Sequence, residues 1–170
     1  MTDDEEFPLF GEKYRSDDNR KDNDTRFTVF SAEEQIIHYR KKAEWVRQWI
    51  CNIIDYALAD GDDFVIEWFH LWPSVLQDKL QERWDQVCYI LLYKSDVWEI
   101  EYGLQAHSHP NDRAVKKTHQ PETYTKIANF IYEFGQTLKK DAEDQNLQVV
   151  DMSQWNFKEN IEKVVNLLIS

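Results

Sequence analysis

The chain has 170 residues, of which 32 are acidic and 20 are basic, so its formal net charge at pH 7 is −12. Its 42% hydrophobic and 14% aromatic content provides enough apolar mass for a core, which excludes a wholly disordered chain. A chain this acidic is repelled by phosphate backbones and anionic lipid surfaces, so we expect no direct nucleic-acid binding and no membrane binding.

Residues 1–26 are predicted to form a flexible acidic tail, because dense charges surround too few hydrophobic residues to offset the entropy of ordering them. An apolar island at residues 7–10 leaves open a short linear motif that docks on a partner. We expect residues 27–170 to form a single globular domain. The acidic first residues differ from a secretory leader, and we expect a cytoplasmic location.

The first predicted helix is the clearest element of the sequence. Ser31 and Glu34 have the spacing of a capping box, and apolar residues then recur every three or four positions. Trp45 and Trp49 widen this apolar sector, which indicates burial against more than one neighbour. Gly61 ends the helix, since glycine suits the left-handed position after a helix.

Two further stretches predict a β-hairpin near 86–104. Residues 87–93 are apolar and rich in β-branched and aromatic side chains, which favours a buried strand over a continued helix. After a predicted turn at 94–96, apolar and polar residues alternate over 98–104, as in a half-buried strand.

The remaining chain is predicted to be mostly helical. A capping-box pattern at Ser74 predicts a second helix, residues 105–120 are predicted to form a loop, and Pro121 opens a long helix. A short strand at 147–151 and a last helix from Asn156 complete the chain. The predicted fold class is therefore α+β and predominantly helical, with four or five helices packed against a small antiparallel sheet.

Candidate binding residues follow the first helix. Trp68 and Trp72 are spaced at i and i+4, and tryptophan is enriched at protein interfaces, although burial in the core is the other interpretation. Asp60, Asp62 and Asp63 form an acidic cluster just before them. We take these five residues as the candidate binding site for a basic protein partner, because complementary charge speeds association.

A metal site is the alternative that residues 107–110 suggest. His107 and His109 alternate along one segment and can both reach one metal ion. This tetrapeptide resembles part of the histidine motif of JAMM-type zinc hydrolases, but the Ser and Asp that follow in that family have no counterparts at matching offsets here. We expect no bound metal and no cofactor, and we keep a metal-dependent hydrolase as an alternative.

The sequence contains no glycine-rich phosphate loop, no G-x-S-x-G motif and no C-x-x-C pair. Its two cysteines, Cys51 and Cys88, have apolar neighbours and are expected to be buried thiols. These features predict a non-enzymatic acidic protein-binding module with an inhibitor, immunity-like or adaptor role. A nucleic-acid mimic, in which carboxylates imitate phosphate spacing, is the second alternative.

Overall fold

The computed structural model describes residues 22–61, 63–80, 83, 86–106, 109, 112–153 and 157–169. Along the chain, the elements within these residues are α1 (Asn23–Val29), α2 (Ala32–Asp60), α3 (Pro73–Leu80), β1 (Ile90–Tyr93), α4 (Val97–Ala106), α5 (Arg113–Lys116), α6 (Pro121–Asp144), β2 (Gln148–Asp151) and α7 (Phe157–Leu168). Helix predominates, as expected. The described part of the chain nevertheless has seven helices rather than four or five, and α5 lies inside the predicted loop.

Helix α2 begins and ends where the sequence predicts. Ser31 Oγ accepts a hydrogen bond from the Glu34 N–H at 3.1 Å, and the Glu34 carboxylate accepts one from the Ser31 N–H at 2.9 Å. The predicted capping box is therefore confirmed. At the other end, Gly61 has a φ of 72° and its N–H donates to the Ala57 carbonyl, a left-handed conformation that glycine adopts without strain.

Ser31→Ala is expected to lower the free energy of unfolding by about 1 kcal/mol, because the Glu34 N–H loses its acceptor. Urea denaturation measures this loss, and Ser31→Asp, which keeps an acceptor oxygen, serves as the matched control. A loss below about 0.3 kcal/mol for the alanine variant would show that the capping box contributes little to stability.

The sheet consists of two parallel strands, so the predicted antiparallel hairpin is wrong. β1 pairs with β2 from Ile90↔Gln148 to Tyr93↔Asp151. Helices α4, α5 and α6 lie between the two strands in the chain, because a parallel pair needs a long crossover connection. The short strand predicted at 147–151 is confirmed, but its partner is β1.

Residues 97–106 form α4 instead of the second hairpin strand. The Asp96 carboxylate accepts a hydrogen bond from the Glu99 N–H at 3.0 Å, which caps the start of the helix. Ile100 is buried, while the rings of Trp98 and Tyr102 stack at 5.3 Å on the exposed side. The alternation of apolar residues thus belongs to a helix that exposes aromatic rings, and not to a half-buried strand.

The core forms where α2 and α6 pack with α3 and the sheet. One cluster of buried side chains comprises Ala43, Trp72, Val75, Leu91, Leu138 and Ala142. A second cluster lies between the C-terminal half of α2 and α3, and comprises Ile50, Cys51 and Leu76. Ala43 of α2 and Ala142 of α6 are completely buried in the first cluster, so both long helices contribute small side chains to the close-packed core.

Other expectations differ from the structure in detail. α1 begins at Asn23, inside the segment predicted to be a tail up to residue 26, while residues 1–21 lie outside the described residues. Cys51 is buried as predicted, but Cys88 is exposed.

The predicted cap at Ser74 is wrong. Ser74 lies within α3 and does not cap it; its N–H donates to the Asp141 carboxylate at 2.8 Å. Among the described helices, none combines the length and apolar content that a bilayer span requires.

Candidate protein-interaction surface

An exposed group of aromatic rings lies on α2 and on the segment that follows it. The side chains of Trp45, Trp49 and Tyr56 are 54%, 57% and 72% exposed. Trp68 is partly buried and contacts Trp49. We call these four residues the aromatic surface. Single apolar residues are normal on protein surfaces, whereas large rings grouped on one side of a helix are typical of an interaction site.

Helical periodicity places the three α2 residues of the aromatic surface together. Trp45 and Trp49 are one turn apart, and Tyr56 follows two turns later on the same side. Ile50, which is adjacent to Trp49 in the chain, is fully buried. The helix therefore turns its tryptophans away from the core, and the prediction that Trp45 and Trp49 extend the buried sector is wrong.

Trp49 is positioned by an edge-to-face contact with Trp68. The ring centroids are 5.4 Å apart and the ring planes meet at 80°, which is a favourable aromatic geometry. Trp68 also packs against the second core cluster. Because Trp49 already has a fixed neighbour, a partner that covers it would immobilise little additional side-chain freedom.

His70 is the neighbour of Trp68 on the buried side, with ring centroids 5.2 Å apart. Only 7% of His70 is exposed. Burial, together with the positive charge of Lys42, lowers the pKa of His70 to about 4. His70 is therefore uncharged at neutral pH and supplies packing, rather than charge, to the aromatic surface.

The C-terminal end of α2 places negative charge beside Tyr56. Asp60 is the last helical residue and lies one turn after Tyr56, and the exposed Asp63 follows shortly after it. The last turn contains no basic residue. Asp60 therefore adds to the negative end of the helix dipole, an arrangement that is unfavourable in the free protein. The third predicted aspartate, Asp62, lies outside the described residues.

Only one of the two predicted tryptophans belongs to the aromatic surface. Trp72 is 1% exposed; its ring meets the edge of Phe134 at 5.8 Å, and the Arg40 guanidinium lies 5.6 Å from its centroid. The structure thus places Trp72 in the core, out of reach of a partner. Sequence reasoning missed Tyr56, although its spacing of seven residues from Trp49 was a usable signal.

The histidine segment is only partly described. His107 lies outside the described residues, and His109 is exposed. Among the histidine, cysteine, aspartate and glutamate residues that the structure describes, no three lie close enough together to hold a metal ion.

Comparison with known proteins gives one informative similarity. No protein-family model matches the chain, and no solved structure matches it. The chain is 25% identical over 134 residues to 2-phosphoglycerate kinase of Methanocaldococcus jannaschii. The matched region covers 76% of this chain but only 39% of that relative.

Proposed function

We propose that this chain is a non-enzymatic acidic protein-binding module, with an inhibitor, immunity-like or adaptor role, that recognises a basic protein partner. The observation that carries the proposal is the pair of exposed tryptophans, Trp45 and Trp49, on the helix that ends at Asp60. We place the association in the cytoplasm, where reducing conditions suit the exposed free thiol of Cys88.

The aromatic surface is suited to provide most of the binding energy. Tryptophan and tyrosine dominate the few interface residues whose truncation costs about 2 kcal/mol or more. Such residues are most effective where surrounding contacts exclude water. A partner that covers Trp45, Trp49 and Tyr56 would bury three large rings that the free protein leaves in solvent.

Charge supports a basic partner. The net charge of −12 attracts a cationic protein at long range and raises the association rate. A lysine or arginine of the partner placed near Asp60 would also relieve the unfavourable interaction of that carboxylate with the helix dipole. This relief occurs only in the complex, so it favours binding without stabilising the free protein.

The Trp45→Ala/Trp49→Ala double variant is expected to bind the partner at least about 30-fold more weakly, chiefly through faster dissociation. The partner is first identified by affinity capture from the native host with the full chain, and surface plasmon resonance then measures its rates. The association rate should fall as salt shortens the screening length to about 8 Å or less.

Trp98→Ala is the matched control, because Trp98 is 69% exposed but lies on α4. Asp60→Asn/Asp63→Asn should slow association and change dissociation little. Capture of the same partner with equal affinity by the double tryptophan variant would refute the aromatic surface as the binding site. An association rate that does not respond to salt would refute electrostatic recognition.

A second candidate function is phosphoryl transfer, and the similarity to 2-phosphoglycerate kinase is the observation that favours it. The parallel strand–helix–strand arrangement of β1, α6 and β2 supports it as well, since this unit is typical of nucleotide-binding α/β proteins. The present sequence has no G-x-x-x-x-G-K-[ST] phosphate loop.

Radiolabelled ATP and 2-phosphoglycerate, incubated with the full chain, distinguish the two candidates. The binding proposal expects no labelled product above the level without protein. Transfer of label from ATP to 2-phosphoglycerate would refute the binding proposal and support the kinase proposal. The metal-dependent hydrolase and the nucleic-acid mimic remain predictions from the sequence alone.

A further inference from the structure

Arg26 is unusual among the arginines for which the structure describes a partner. Arg40 pairs with Glu44 at 3.8 Å, and Arg83 pairs with Asp55. Arg26, by contrast, has no carboxylate partner among the described residues, in a chain with 32 acidic side chains. Its guanidinium instead donates to the Tyr39 hydroxyl at 2.9 Å and lies 5.5 Å from the Phe27 ring centroid.

The carboxylates nearest to Arg26 in the chain are bound to other groups. Asp22 accepts hydrogen bonds from the Thr25 N–H at 2.6 Å and from the Thr25 hydroxyl at 3.1 Å, which caps α1. Asp24 accepts hydrogen bonds from the N–H groups of His119 and Gln120, at 2.9 and 3.2 Å. Two acids that could neutralise Arg26 are therefore bound to other hydrogen-bond donors.

Among the described residues, two hydrogen-bond donors at this position have no acceptor. Arg26 Nε is buried and has no hydrogen-bond partner within the described residues. The Tyr39 hydroxyl accepts from Arg26, and in the described part of the chain no acceptor receives its own proton. Buried donors are normally satisfied, and a partly buried guanidinium normally has a counter-charge.

We propose that Arg26 and Tyr39 form a binding site for an oxyanion, the phosphate or carboxylate group of a small molecule. A guanidinium presents donors in a planar fork that matches two oxygens of either group. The Tyr39 proton supplies one more donor, and the rings of Phe27 and Phe69, which pack beside Arg26 and Tyr39, provide an apolar wall. The side chain of Arg26 is partly exposed, which leaves an approach from solvent.

Nuclear magnetic resonance of the arginine Nε–H groups tests this site in the full-length wild-type chain. One titration uses inorganic phosphate and another uses acetate, both at constant ionic strength maintained with chloride. The Arg26 resonance, assigned through its loss in Arg26→Lys, should shift saturably with at least one of the two ions. A response to phosphate alone identifies a phosphate ligand, and a response to acetate alone identifies a carboxylate ligand.

Variants then separate the site from a purely structural contact. Because Arg26→Gln removes the Arg26 Nε–H reporter, the variants are titrated through the backbone amide resonance of the neighbouring Phe27. By this measure Arg26→Gln should weaken the affinity at least tenfold, and Tyr39→Phe should weaken it by a smaller factor, whereas Arg40→Gln should leave it unchanged. No saturable shift of Arg26 with either ion, or an equal shift of Arg40, would overturn the proposal. The wild-type titration decides this even if Arg26→Gln does not fold, and it uses residues outside the aromatic surface.

Discussion

Ile50→Asp is expected to leave the protein unfolded at neutral pH. Ile50 is 0% exposed and lies in the core cluster with Cys51 and Leu76. The change removes an apolar side chain whose loss costs about 2–5 kcal/mol. It also introduces a buried carboxylate without a partner, which costs several kcal/mol more. The total approaches the stability of about 5–15 kcal/mol that single domains typically have.

Circular dichroism and urea denaturation measure this effect. Ile50→Val is the size control and should cost about 1 kcal/mol. Ile53→Asp is the position control, because Ile53 lies on the same helix but is partly exposed, and it should fold with a smaller loss. Burial raises the pKa of an introduced carboxyl, so mild acid should restore part of the Ile50→Asp stability. A wild-type urea midpoint for Ile50→Asp at neutral pH would disprove the assignment of this core.

Trp72→Ala is expected to lower the free energy of unfolding by about 3–5 kcal/mol. Trp72 is 1% exposed and belongs to the cluster that joins α2, α3, α6 and β1. An alanine would leave a cavity among packed side chains that can close it only partly. For a domain of this size, we expect the melting temperature to fall by about 6 °C or more.

Trp98→Ala separates this core effect from the general loss of an indole. Trp98 is 69% exposed, and its replacement should cost less than about 1 kcal/mol. Trp72→Phe should cost less than Trp72→Ala, because it keeps a ring and removes an Nε1–H that has no hydrogen-bond partner in the described structure. Equal melting temperatures for Trp72→Ala and the wild type would place Trp72 outside the core.

Local signals in the sequence were sufficient for the long helices. The capping box at Ser31, the glycine at position 61 and the proline at position 121 each lie directly beside the helix end that they mark. The sheet depends on a contact between distant segments, so no local pattern identified the partner of β1. Residues 98–104 match the pattern of a half-buried strand, because four apolar residues alternate with polar ones there. The local feature that indicates a helix instead is Asp96, which caps its first turn.

For the candidate site too, local sequence patterns predicted which residues share a helix face but not which face packs against the core. Periodicity correctly grouped Trp45 and Trp49 on one sector of α2. It could not show which sector meets the core, because this depends on where α6 packs. Trp72 and Trp68 are likewise similar in local sequence, yet Trp72 is buried in the first core cluster against Phe134, whereas Trp68 lies beside the exposed Trp49.

The long stretch of chain between the two parallel strands means that the sheet forms late during folding. The N–H of Ser95, two residues after β1, donates a hydrogen bond to the carboxylate of Asp151, the last residue of β2, and the two residues are 56 positions apart in the chain. Closing a flexible loop of that length costs about 3.5 kcal/mol of chain entropy before any constant contribution. Four paired residues per strand offer little to offset this cost until the intervening α6 has docked and shortened the loop. The strand pair is therefore a consequence of helix packing, and its contacts are among the slow, non-local ones that limit the rate of folding.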